Sequence, residues 1–358
     1  LFKGGARGFV LQSEMSNVSH QDRRVAVVIL NWNGRVHLER YLPSVLEHTL
    51  QDAEVWVVDN GSTDDSLAWL ESNHPEVKTL ALGCNWGFAE GYNKALFHVD
   101  ADVHVLLNSD VRIVSRWVAP VLKVMDERGW SVASPLLVQD ANPSLCEHAG
   151  AAGGWMDKDG FPFCLGRLFN EVEPVDAWHQ QNREVFWASG AALFVRKSAW
   201  VEVGGLDGAL FAHMEEIDLC WRLQNAGHRI GCVGQVSVQH LGGGTLQNSS
   251  PFKTYLNFRN NLIVMVKNRR GAWPLFAFRR MTLDGVAAFR MLSQGQWRQF
   301  LAVGKAHGAF YLALPRVLRQ RAMLRRLSSP KAELVGWWSQ SVIWAHFVQG
   351  VNRARDLK

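Results

Sequence analysis

The sequence predicts an α/β protein, a mostly parallel sheet flanked by helices, followed by a mainly helical and basic C-terminal region. Three observations carry this expectation. Short apolar, β-branched runs (VAVVIL at 25–30, VWVV at 55–58, VHVLL at 103–107) alternate with stretches whose apolar residues recur at helical spacing. Each of these runs ends in a polar turn. Charge then divides the chain: residues 267–358 hold 17 of the 38 Lys and Arg but 3 of the 33 Asp and Glu, a net of +14 against −9 for the rest.

The elements follow in order. Residues 1–14 (LFKGGARGFVLQSE) are Gly-rich and unpatterned, lack the apolar stretch of a signal peptide, and read as an expression remnant. Residues 25–30 suit a strand buried on both faces. NWNG at 31–34 is a turn, and Leu38, Leu42, Val45, Leu46 and Thr49 mark a helix. After the second strand, DNGST at 59–63 offers Ser and Thr to cap a helix bearing Leu67 and Leu70. A third strand is expected at 77–82, a helix from 91 to 98, and a fourth strand at 103–107 that ends in Asn108, Ser109 and Asp110. Residues 140–185 are irregular; 186–196 (FWASGAALFVR) reads as one strand, 217–225 as a helix ended by Gly227, and 242–244 as a glycine loop. From about Tyr255 the pattern is helical, basic and Trp-bearing. The expected organisation is a domain at 15–250, with halves at about 25–112 and 113–250, and a C-terminal region at 251–358.

Composition narrows the function classes. With 358 residues, 47 % hydrophobic and 20 % charged, the chain is neither disordered nor a fibre. No uncharged apolar run reaches the ~18 residues of a membrane span. Five cysteines, none in a C-x-x-C arrangement, suggest reduced thiols and a cytosolic protein rather than a disulfide framework or zinc knuckle. Sixteen tryptophans suggest flat binding surfaces or an interfacial belt.

Ligands of parallel α/β sheets bind beyond the carboxyl ends of the strands, where Asn31–Gly34, Asp59–Thr63 and Asn108–Asp110 fall. Asp59 alone reads equally as a turn former; three such clusters favour a nucleotide site. Asn108, Ser109 and Asp110 set oxygen-bearing side chains along an extended segment, a pattern suited to Mg²⁺ or Mn²⁺ on a diphosphate, or simply to a turn. NWGFAEGYN at 85–93 is a glycine-bearing loop into a helix. Glu215, Glu216 and Asp218 place three carboxylates within four residues. Asp218 and Arg222 alone suggest a surface pair, whereas adjacent carboxylates can also divide acid and base roles. His240, before the glycine loop, is either structural or a metal ligand.

Together VILNWNG (28–34), VVDNGSTDDS (57–66), NWGFAEGYN (85–93), LLNSDV (106–111), SGAALFVRKSAWVEVGGLD (189–207), FAHMEEIDLCWRLQNAGHRI (211–230) and QHLGGGT (239–245) resemble the family 2 glycosyltransferases, inverting nucleotide-sugar enzymes of the GT-A fold. The resemblance spans about residues 25–268 and looks closest to the bacterial branch with rhamnosyltransferases and galactofuranosyltransferases. It implies that Asn31, Asn33 and Asp59 line the nucleoside pocket, and that Asn85, Gly87 and Asn93 border the donor. Asn108, Ser109 and Asp110 fall at the D-x-D position, with Asp110 and His240 as metal ligands for Mg²⁺ or Mn²⁺. Asn108 departs from the first Asp of that motif. Gly190, Ala191 and Ala192 should line the donor or acceptor side. Glu216 takes the place of the catalytic base, one methylene longer than the usual Asp, with Glu215 and Asp218 beside it.

The implied reaction is a single displacement on a sugar carried by dTDP or UDP, with rhamnose from dTDP-rhamnose as the preferred reading and a UDP-sugar such as galactofuranose or N-acetylglucosamine as the alternative. The implied acceptor is a polysaccharide or lipid-linked glycan, and the loop after His240 should exclude water. The basic C-terminal region, with Trp273, Trp297, Trp337, Trp338 and Trp344, suits an anionic membrane surface on the cytoplasmic side. Its alternative use is a packed helical subdomain or a homo-oligomer interface. No motif supports nucleic-acid binding. A non-catalytic nucleotide-binding scaffold is the rival from another class. A dinucleotide oxidoreductase is disfavoured, since no G-x-G-x-x-G follows the first strand.

Overall fold

The computed structural model describes residues 23–147, 150–242 and 250–357. The N-terminal segment expected to be an expression remnant, and Gly243 and Gly244 of the glycine loop, lie outside the described residues. Strand β1 (Val25–Asn31) is buried on both faces, with Val27 and Val28 wholly covered, which explains its unbroken apolar run. Each such side chain contributes roughly 1.5–3 kcal/mol through burial. Helix α1 (Arg35–Thr49), β2 (Glu54–Asp59), α2 (Ser66–Asn73), β3 (Lys78–Ala81), α3 (Gly87–His98) and β4 (Val103–Leu107) continue the alternation. β1 is paired parallel to β2 on one side and β4 on the other, and β3 lies beyond β2. The carboxyl ends of β1, β2 and β4 thus share one edge, with Asn31 the register partner of Asp59.

The chain continues through β5 (Val111–Arg112), α4 (Val118–Arg128) and β6 (Val132–Gln139). It then forms a small sheet from β7 (Gly154–Asp157), β8 (Pro162–Cys164), β9 (Arg167–Leu168) and β10 (Glu171–Val172). It re-enters the main sheet at β11 (Arg183–Glu184) and β12 (Ala192–Arg196), the latter antiparallel to β4 and β6. After α5 (Lys197–Val203) and α6 (Glu215–Ala226), β13 (Ile230–His240) runs parallel to β6 and ends against β5. Helices α7 (Pro251–Asn268), α8 (Trp273–Ser293) and α9 (Trp297–Leu327) follow, then β14 (Trp337–Trp338), which joins the small sheet beside β7, and α10 (Val342–Phe347).

Several expectations need correction. Residues 186–196 do not form one strand. The peptide of Phe186 donates to the Gly154 carbonyl (2.8 Å) and Gly154 donates to Trp187 (3.0 Å), so this stretch stitches the two sheets before turning at Ser189 and Gly190. Ser62 and Thr63 do not cap α2; they bond to Asn31 and Asn33 instead, and Asp64 accepts from the Ser66 amide (3.2 Å). Helix α6 starts at Glu215, which puts both glutamates in its first turn. Asp218 and Arg222 are a buried pair at 2.8 Å rather than a surface one. Trp337 and Trp338 are packed against Trp221, Phe186 and Phe163 and are not surface anchors, whereas Trp297 and Trp344 are exposed. Arg280 and Arg321 are likewise buried, the latter donating to the carbonyls of Val266, Arg269 and Gly271.

Candidate active site

The strand-end residues form one cluster. Asn31 is buried and donates to Ser62 Oγ (3.2 Å) and weakly to Asp59 Oδ1 (3.5 Å). The other Asp59 oxygen accepts from the amides of Gly61 (3.2 Å) and Ser62 (3.0 Å). Asn31 Oδ1 is buried without a partner, and a Cβ on Gly34 would lie 2.3 Å from it and 3.7 Å from Ser109 Oγ. Only glycine leaves this floor open. Asn33, at φ +50, accepts from the Thr63 amide (2.7 Å) and so ties the first polar turn to the second.

The loop before α3 is held by Asn60, which sequence reasoning passed over within its turn. Asn60 Nδ2 donates to Asn85 Oδ1 (3.2 Å) and to the Gly87 carbonyl (3.1 Å), while its oxygen accepts from the Trp86 amide (3.0 Å). Gly87 has φ +74, and a Cβ there would strike the Phe211 ring at 2.5 Å. The amides of Phe88 (2.8 Å) and Ala89 (3.2 Å) donate to the Phe211 carbonyl, so the start of α3 is fastened to the segment before α6. Asn93 points elsewhere: its amide group exchanges two 2.9 Å hydrogen bonds with the Leu206 backbone and supports the 204–207 loop.

Asp110 and His240 meet, as the motif pattern implied, with 3.2 Å between Oδ1 and Nε2. Asn108 Nδ2 stands 3.4 Å from the same nitrogen, and the Asn108 amide donates to the Ala191 carbonyl (3.0 Å). Glu147, with no sequence signal of its own, lies 3.2 Å from the opposite ring nitrogen, Nδ1. Burial disfavours a charged His240, yet the Asp110 and Glu147 carboxylates raise its pKa to about 10; His240 in turn holds Asp110 below the usual carboxylate range against the effect of burial.

Among the described residues, no three His, Cys, Asp or Glu side chains converge as a metal site. The geometry explains this, because Asp110 and Glu147 flank the imidazole on opposite nitrogens. The pair Asp110 and His240 would fit a divalent cation that displaces the Nε2 proton, since a carboxylate oxygen and an imidazole nitrogen stand 3.2 Å apart. Mg²⁺ and Mn²⁺ sites commonly use few protein ligands and complete their shell with substrate phosphates. Glu147 then orients the ring from behind.

Glu216 lies beside Gly190, which sits in the turn that leads to Ala191, whose carbonyl accepts from the Asn108 amide (3.0 Å). A Cβ on Gly190 would lie 3.6 Å from Glu216 Cβ and 3.7 Å from the Phe88 ring, in ordinary contact. Each glutamate has one buried oxygen (Glu215 Oε2, Glu216 Oε2) without a hydrogen-bond partner. Burial raises the pKa of Glu216 to about 7, and burial together with the neighbouring Glu216 raises Glu215 well above its usual value. The segment that presents them is strained: Phe211, His213 and Met214 have φ +68, +68 and +74. Asn260, wholly buried on α7, pays out its amide hydrogens to the carbonyls of Leu210 (3.0 Å), Ala212 (2.9 Å) and His213 (2.8 Å).

Asp218, wholly buried, is committed to the body of the protein. It accepts from Arg222 (2.8 Å), Lys267 (2.8 Å) and Asn268 (2.7 Å), and Lys267 also donates to Asp207 (2.7 Å). Burial alone would raise Asp207, but Lys267 and Arg316 draw it down to about 2.

Residues 26–145 match the family model described as Glycosyl transferase family 2. The chain carries a family 2 glycosyltransferase domain. The enzyme is 28 % identical over 284 residues, 74 % of its chain and 90 % of the relative, to the N-acetylglucosaminyl-diphospho-decaprenol L-rhamnosyltransferase of Mycobacterium tuberculosis. It is 26 % identical over 210 residues, 56 % of its chain and 79 % of the relative, to Rhamnosyltransferase WbbL of Escherichia coli. Among solved structures, the mannosyltransferase PcManGT of Pyrobaculum calidifontis, solved with GDP-Man and Mn²⁺, superposes with a TM-score of 0.50 at 15 % identity, covering 85 % of this glycosyltransferase and 86 % of that chain. The fold is GT-A, with a helical C-terminal region.

Proposed function

We propose that the glycosyltransferase moves rhamnose from dTDP-rhamnose, with inversion, onto a polysaccharide or lipid-linked glycan acceptor, and that it works peripherally at the cytoplasmic face of a membrane. The observation that carries the chemistry is the placement of Glu216, with a buried unpartnered oxygen and a pKa near 7, beside Gly190. The rhamnosyltransferase names of two relatives support the donor, and the decaprenyl-diphosphate acceptor of one supports a lipid-linked acceptor.

In this reading Glu216 removes the proton of the acceptor hydroxyl as that oxygen attacks the anomeric carbon from the face opposite the diphosphate. A single carboxylate suffices for one displacement, and its raised pKa matches proton transfer near neutral pH. Gly190 leaves room beside the base for the acceptor. Asn31 and Asp59 receive the nucleoside, with the unpartnered Asn31 oxygen free to accept from a base N–H. Asp110 and His240 are the residues that would hold Mg²⁺ or Mn²⁺, which when bound offsets the charge of the departing diphosphate. Asp218 serves as a positioning residue, anchoring α6 through Arg222, Lys267 and Asn268, and Asn93 as a loop tie.

A thermal-shift panel of nucleotides with and without Mn²⁺ tests the donor assignment. A ligand at about 100 times its Kd stabilises the fold by about 2.7 kcal/mol. A larger Mn²⁺-dependent shift with dTDP than with UDP is expected; the reverse order moves the donor to a UDP-sugar, and no shift with any nucleotide overturns the donor site.

A further inference from the structure

Helix α8 wears its polarity inside out. Phe276, Arg280, Asp284 and Ala288 recur every four residues and face the protein, where Arg280 and Asp284 form a buried ion pair at 2.8 Å. The opposite stripe holds Leu275, Phe278, Val286 and Phe289, which are 74, 72, 66 and 66 % exposed. An ordinary surface helix does the reverse, and contiguous exposed apolar side chains mark a docking surface. Helix α9 extends the feature with exposed Trp297 and Leu301.

The charge of the surroundings selects the occupant. Residues 285–332 contain nine Lys and Arg and no Asp or Glu. Exposed Arg290 and Arg298 stand beside the apolar stripe. At the start of α8, next to Leu275, an open cavity of about 400 Å³ is lined by Lys158, Arg269, Arg270 and Arg279, with Asp159 paired to Arg279 at 2.6 Å. This cavity shares no residue with the site around Glu216, Asp110 and His240. A second copy of the same face would bring like charges together, which disfavours self-association. Aromatic and aliphatic side chains interleaved with arginine suit the headgroup layer of an anionic bilayer, where the apolar groups enter the acyl boundary and the cations meet phosphates. Among the described residues no helix is long and apolar enough to cross a membrane.

We infer that the outer face of α8, with the start of α9, lies in the surface of a membrane rich in anionic phospholipid, and that the arginine-lined cavity beside Leu275 receives headgroup phosphates. This deepens the proposed peripheral membrane reading and rests on it.

The test is sedimentation of the full chain with vesicles of phosphatidylcholine alone and of phosphatidylcholine with about 30 % phosphatidylglycerol. The wild type should bind the second and not the first, and release in high salt. The double variant Phe278→Ser/Phe289→Ser should lose about tenfold or more in partitioning, with an unchanged melting temperature and unchanged transfer to a water-soluble acceptor. Wild-type levels of vesicle binding by the variant overturn the assignment to α8 while leaving the membrane reading in place. A wild type that binds neither vesicle overturns both. A wild-type dimer that the double variant makes monomeric, without vesicle binding, overturns the lipid assignment in favour of a second copy.

Discussion

Glu216 and Gly190 are neighbours, close enough that a Cβ on the glycine would touch the glutamate stem at 3.6 Å. The contact is ordinary, so Gly190→Ala should fold and retain measurable activity. Gly190→Leu places its branch in the space that an acceptor needs. It should cut kcat/KM by about 100-fold or more, a misplacement cost of the kind expected near reacting atoms, while the melting temperature and nucleotide affinity stay near wild type. Steady-state kinetics beside thermal melts check this.

The raised pKa of Glu216 gives a pH dependence with a definite sign. Protonation removes the base, so kcat/KM should fall as pH drops through about 7. The same shift bears on stability. The unfolded glutamate ionises near pH 4.5 and the folded one near 7, so burial of this group costs stability above pH 4.5, with the cost growing until about pH 7. Glu216→Gln should therefore melt higher than wild type at pH 8 and at nearly the same temperature at pH 4. Melts at the two pH values measure the difference.

Asn260 holds three carbonyls of the strained segment that leads into the two glutamates. Asn260→Ala leaves these carbonyls without their donor, at a cost of about 1–3 kcal/mol. As a positioning residue it should lower kcat while leaving the KM for the donor largely unchanged, and the acid limb of the pH profile should move. A residue of purely structural importance would change stability without moving that limb.

Lys267 sits between Asp207 and Asp218 in a buried network. Lys267→Met removes the cation shared by two buried carboxylates, leaving Asp207 to Arg316 and Asp218 to Arg222 and Asn268, and should destabilise by about 3 kcal/mol. The loss should shrink on acidification, because Asp207 is held ionised down to about pH 2 only by its cations. Urea melts at pH 7 and pH 4 compare the two.

The legible part of this protein is the part written locally. β1, β2 and β4 announce themselves as apolar runs, and Asn31, Asp59 and Asp110 fall where those runs end. Asp110 and His240 were joined through motif likeness, and their meeting depends on the antiparallel pairing of β5 with β13. The illegible part depends on partners remote in sequence. Nothing near Glu147 marks it as the support of a histidine 93 positions later. Asn93 has the look of a pocket residue, yet its amide is spent on Leu206. Asn260 and Lys267 read as ordinary helix residues until α7 is placed beneath α6. The run at 186–196 looked continuous because its composition is apolar throughout; the sheet it actually joins changes at Gly190.

The most direct measurement compares Glu216→Gln with the wild type in two assays: sugar transfer in a single turnover, and binding of the donor nucleotide. Loss of transfer by about 1000-fold or more, with nucleotide affinity within about twofold of wild type, is the result that a general base at this position requires. Transfer at the wild-type rate by Glu216→Gln would contradict it.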